Sequence, residues 1–123
     1  MTKAKIEAIA HITRAVSGLE LAIENLQMVF SRATFSEQGM LLEQITALGE
    51  RLDVNRIFLA HLKTTEVTVT KANRDDFARL DRALARLQKL EVEGESVSRV
   101  LSVAKALASS VGQTRKNVSR RAT

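Results

Sequence analysis

Proline and cysteine are missing from this chain, as are tyrosine and tryptophan, and glycine occurs only five times. Without proline, no position is closed to helix by a missing N–H. Gly18, Gly39, Gly49, Gly94 and Gly112 stand alone, whereas a β-sandwich or barrel needs many tight turns and shows more of both residues. The lack of cysteine removes disulfides, thiolate metal ligands and cysteine nucleophiles together. It suits the cytosol, and a cytoplasmic location is the expectation. No apolar run approaches the roughly 20 residues of a membrane span. The start, Met1-Thr-Lys-Ala-Lys-Ile-Glu, has no long apolar core of a signal peptide.

What is present is globular. With 123 residues, 45% hydrophobic and 27% charged, the chain is long enough for one domain with a core. The charge is unevenly placed. Arg115, Lys116, Arg120 and Arg121 give residues 113–123 four positive charges and no negative one, out of a net +5 for the whole chain. Residues 1–112 are nearly neutral, so the basicity belongs to the end and not to the surface as a whole.

Hydrophobic periodicity predicts long helices. Over 3–32, Ile9, Ile12, Val16, Leu19, Ile23, Leu26 and Phe30 step by three and four, a heptad seam flanked by Ala8, Ala15, Ala22 and Val29. Thr34-Phe-Ser-Glu37 reads as a capping box that opens a second helix over 35–63. Its seam is Leu41, Ile45, Leu48, Leu52, Asn55, Leu59 and Leu62. A buried Asn55 would fix register or partner number; the plainer reading rotates the helix slightly, with Val54 and Phe58 inward and Asn55 at the edge. The β-branched run Thr64-Thr-Glu-Val-Thr-Val-Thr70 breaks the pattern, and 64–73 reads as a linker with an edge strand as its one regular option. Asn73 then caps a third helix over 74–111, with Asp75 and Asp76 in its first turn. Leu80, Ala83, Leu87, Leu90, Gly94, Val97, Leu101, Ala104, Ala108 and Val111 keep one rhythm throughout. That favours a continuous helix over one split at Gly94 with Ser96 capping a fourth, because Gly costs a helix only about 1 kcal/mol.

The expected fold is all-α: an elongated antiparallel bundle of three long helices, the third continuous or split at Gly94, with coiled-coil-like packing. Residues 1–112 form the single domain and 113–123 a flexible basic tail. Seams this regular often pair between chains, so a homo-oligomer, first a homodimer, is expected.

Chemistry is hard to find. His11 and His61 fall at outward positions of their heptads, and Glu7 lies one turn before His11. That is two ligands where zinc takes three or four. Carboxylate-bridged di-metal bundles need Glu-x-x-His, but Ala8 and Phe58 stand three residues before the two histidines. No Gly-rich phosphate loop is present. Glu20 with Glu24, and Glu91, Glu93 and Glu95, read as wet faces. The expectation is no catalytic residue, no cofactor and no metal.

Two basic features remain. Arg79, Arg82, Arg86 and Lys89 are spaced three, four, three on the third helix, with Asp75 one turn before Arg79. The tail adds Arg115, Lys116, Arg120 and Arg121. Four phosphate contacts would give a logarithmic salt slope of about −3.6, and no aromatic residue in the tail offers stacking. Ala104, Ala108 and Gly112, with Ser98, Ser102 and Ala106, are rows of small residues that suit tight helix packing. The functional expectation is a non-enzymatic helical interaction protein that self-associates and binds a protein partner. The alternative is a small nucleic-acid-associated protein that touches the phosphate backbone through its two basic features.

Overall fold

The computed structural model describes residues 2–64, 69 and 74–120. Four helices pack against each other, and there is no strand among the described residues. Thr2 caps α1 (Lys3–Val29) by accepting from the Lys5 N–H at 3.2 Å. A 3-10 turn, Phe30–Arg32, ends it. The Thr34 hydroxyl then accepts from the Glu37 N–H at 3.2 Å while the Glu37 carboxylate accepts from the Thr34 N–H at 2.9 Å. This is the expected capping box, and α2 runs Phe35–Thr64. Asn73, the expected cap of α3 (Arg74–Lys89), and 65–68 and 70–73 of the expected linker lie outside the described residues. Val69 is buried against Ala8, Ile12, Leu62, Phe77 and Val118.

The third helix is not continuous. It stops at Lys89, a 3-10 turn occupies Val92–Gly94, and α4 runs Val97–Arg120. The Ser96 hydroxyl caps α4 through the Arg99 N–H at 3.1 Å. Arg32, from the far end of α1, donates to the carbonyls of Glu93 at 2.8 Å, Val92 at 2.5 Å and Glu95 at 2.6 Å. A continuous helix would keep some of those carbonyls for itself. Hydrogen bonds to a charged group contribute about 1.5–3 kcal/mol each, and a cap about 1 kcal/mol. Together they outweigh the preference for continuity. A helix over 74–111 would also reach about 57 Å, well beyond the about 40 Å of α1. Folded in two, its halves bury Leu80, Ala83 and Leu87 beside Val97, Leu101, Ala104, Ala108 and Val111.

The bundle runs up, down, up, down. The start of α1 (Ala8, Ile12), the end of α2 (Leu62), the start of α3 (Phe77) and the end of α4 (Val118) share one apolar cluster. α1 and α4 each pack on all three other helices, while α2 and α3 hardly meet. The seam of α1 is turned by one residue from the expected one. Ala8, Ile12, Ala15, Leu19, Ala22, Leu26 and Val29 are buried, and Ile9, Val16, Ile23 and Phe30 are half-buried. A helix with three neighbours places its smallest residues where the neighbours come closest. At Gly18 the approach is tightest: a Cβ there would collide with the Leu84 methyl and lie 3.5 Å from Leu107.

Residues 113–120 are not a separate tail but the last turns of α4. Thr114 and Val118 are buried. The Thr114 hydroxyl donates to the Asp76 carbonyl at 3.4 Å, and the Asn117 amide donates to the Asp76 carboxylate. These side chains, spaced three and four apart, dock the helix end on the start of α3. Arg120 closes the helix and Arg121 lies outside the described residues.

Gly18 and Gly49 test this packing in opposite directions. Gly18→Val overfills the junction and should lower the unfolding free energy by about 2–3 kcal/mol. Nothing lies within 4 Å of a Cβ at Gly49, so Gly49→Ala should raise it by up to about 1 kcal/mol. Urea denaturation of both variants reads the two shifts; a neutral Gly18→Val contradicts the packing.

Candidate functional site

Beyond the Asp76 contacts that dock the end of α4, polar side chains of the described residues also converge in two further places. The first is between α1 and α3. His11 does not point into solvent: its ring stacks on Phe77 with centroids 3.9 Å apart and planes 10° from parallel, and its side chain is 17% exposed. An outward heptad position is outward only for a helix with one neighbour, and α3 crosses this one. Nδ1 lies 3.6 Å from the Asp81 carboxylate and 3.5 Å from an Arg14 nitrogen. Asp81 is held by a direct ion pair from Arg14. Burial is the main influence on His11 and lowers its pKa below the ordinary 6.5, aided by Arg14 and opposed by Asp81 and Glu7. The adjoining hollow is lined by Thr13, Arg14, Ser17, Gly18 and the α3 residues Leu84, Leu87 and Gln88. Neither His11 nor Asp81 reaches it. The cluster therefore reads as a staple between two helices. His61 is exposed. Among the described residues no three His, Asp or Glu side chains group as metal ligands.

The second place is the side of the bundle where α2 and α4 lie next to each other. Three hollows follow one another there. The first, about 350 Å³, is bounded by Glu37, Met40, Ser98, Leu101, Ser102 and Lys105. The second, about 380 Å³, lies between Gln44, Ala47 and Arg51 on α2 and Lys105, Ala108, Gly112 and Lys116 on α4. The third, about 280 Å³, adds Glu50, Val54, Asn55 and Arg115. Arg51 reaches over α4 so closely that a Cβ on Gly112 would lie 2.5 Å from its Nη1. Arg115 and Lys116, expected on a loose tail, are thus brought beside Arg51 and Lys105, which periodicity did not single out. Nothing in the spacing of Arg51 along α2 signals that it faces α4.

Asn55 is buried at the seam, 1% exposed, while Val54 is 45% exposed and Phe58 half-buried. The rotated reading of α2 is therefore incorrect. The Asn55 amide donates to the Arg51 carbonyl one turn back at 2.7 Å, but its buried Oδ1 has no hydrogen-bond partner. An unpaired buried acceptor costs about 1–3 kcal/mol.

The stripe on α3 is placed differently. Arg79, Arg82, Arg86 and Lys89 are all exposed, on a helix that hardly meets α2.

His11 gives a pH test. Because its pKa is lowered on folding, the unfolded chain takes up the proton more readily. This contribution to stability is complete above pH 6.5 and declines as the pH falls below that value. His11→Phe, which keeps the stack, should flatten the urea midpoint between about pH 7 and pH 5. A His11 ring titrating by NMR at or above the ordinary value contradicts the burial.

No family model, no curated protein and no solved structure matches the chain.

Proposed function

We propose that this chain is a non-enzymatic helical interaction protein that self-associates and offers a second surface to a protein partner. The heptad faces that suggested self-association are spent inside the chain: Leu41, Leu48, Leu52 and Leu62 are buried in the bundle. One observation carries the proposal instead. α2 has a second row on its outer side, Phe35, Gly39, Leu42, Thr46, Gly49, Asp53 and Ile57, spaced four, three, four, three, four, four. Phe35 is 92%, Leu42 55% and Ile57 72% exposed. Single exposed apolar residues need no explanation, but a row along one helix does. Gly39 and Gly49 stand in that row with open space beside them. Each costs α2 about 1 kcal/mol relative to Ala, a cost that close approach of another helix would offset.

A second reading has its own support. Arg79, Arg82, Arg86 and Lys89 are exposed together on α3, a charge stripe suited to phosphate contact. On that reading the chain is a nucleic-acid-associated protein, with Arg115, Lys116, Arg120 and Arg121 assisting.

Light scattering over a range of concentrations separates the two. The first reading predicts a mass rising toward twice 13.6 kDa, and a Leu42→Lys, Ile57→Lys double variant that stays at the single-chain mass with the unfolding midpoint of dilute wild type. A wild-type chain that is monomeric throughout, yet gains mass with duplex DNA at low salt, favours the second.

A further inference from the structure

We infer that the groove between α2 and α4 is the docking site for an acidic amphipathic helix of another protein, which would lie there as a fifth helix of the bundle. The inference rests on reading the chain as an interaction protein, but it uses a surface separate from the outer row of α2.

Size and shape come first. The three hollows follow α2 from Glu37 to Asn55, about 27 Å at the helical rise, which accommodates about five turns of a docked helix. Ala47 and Ser109 line the middle with small side chains, and the Arg51 side chain lies over Gly112.

The chemistry changes along the length. At one end Met40 and Leu101 offer apolar contact. Lys105 stands where the first two hollows meet, and toward the other end Arg51, Arg115 and Lys116 gather from both helices, with Glu50 the one acid among the residues around the last two hollows. Among the described residues, none of these four cations has a carboxylate within ion-pair distance. Exposed cations facing a complementary acidic surface steer a partner and fix its register.

The same gradient argues against nucleic acid in this groove. A phosphate backbone carries charge at every step, whereas the groove is cationic over only part of its length and carries Glu37 at its apolar end. No aromatic residue lines it for base stacking. An amphipathic helix with leucines on one stripe and carboxylates toward one end meets each of these conditions.

The test uses the full chain, ¹⁵N-labelled, and a synthetic 18-residue peptide of that design. A control peptide carries Lys for every Glu, and a duplex DNA oligonucleotide serves as a third probe. The acidic peptide should shift amide signals over 40–55 and 98–116, leave those of 79–89 in place, and bind more weakly as salt rises. Arg51→Glu, Lys105→Glu and Lys116→Glu together change only exposed side chains. That variant should keep the wild-type unfolding midpoint, lose roughly 100-fold in affinity for the acidic peptide, and accept the Lys peptide instead. Shifts confined to another surface, no shift at millimolar peptide, an unchanged affinity after charge reversal, or DNA acting on the same signals in preference to the peptide would each overturn the inference. The Leu42→Lys, Ile57→Lys variant should bind the acidic peptide as the wild type does, so a failure of self-association does not decide the fate of the groove.

Discussion

The close approach of α1, α3 and α4 around Gly18 is the contact on which the rest of this bundle depends. Leu84 and Leu107 come together over a residue with no side chain, and Ala15, Leu19 and Ala22 continue the same face. Burying Ile12, Leu19, Leu26 and Val29 completely is worth about 1.5–3 kcal/mol for each side chain. That gain is available only because the small residues between them let the neighbours close in. With α1 and α4 both in contact with every other helix, they form the centre, and α2 and α3 are placed on either side.

The position of α2 follows from this geometry, and so does its exposure. It packs fully on α1, more loosely along α4, and hardly on α3. Its apolar residues are spread around its whole circumference, Leu41, Leu48 and Leu52 inward and Leu42, Val54 and Ile57 outward. The outer row and the α2–α4 groove are therefore two open flanks of one helix. The ends of the bundle, by contrast, are locked by polar contacts. Arg32 ties the turn after α1 to the turn before α4, and Asp76 receives Thr114 and Asn117 from the end of α4.

Features encoded locally could be read from the sequence. The capping box at Thr34 and Glu37 and the serine cap at Ser96 involve residues three apart, and both form as their residue types suggest. Features set by a distant partner could not. The rhythm from Leu80 to Val111 is shared by one long helix and by two antiparallel ones, and the choice falls to Arg32, about sixty positions away. His11 is covered by Phe77 and Asp81, which lie on another helix. Charge concealed the packing of 113–120, since the basic residues there are interleaved with Thr114, Asn117 and Val118. The seam of α1 was legible in period but displaced by one residue, because heptad reasoning assumes a single neighbour and favours the bulkiest row. The basic groove required Arg51 and Lys105 to be brought to Arg115 and Lys116, and no motif in the chain announces that meeting.

The central claim is that α1 and α4 form the core of a bundle completed within one chain. Native-state hydrogen exchange measures this most directly. In the Leu42→Lys, Ile57→Lys variant, which removes self-association through α2 and its concentration-dependent stabilisation, amides of α1 and α4 around Gly18 and Leu107 should exchange only through global unfolding, with a free energy independent of protein concentration, and those on the outer side of α2 should open at lower cost. Fast exchange in α1, or protection there that grows with concentration, would show that the seam is completed by another chain and would contradict the account.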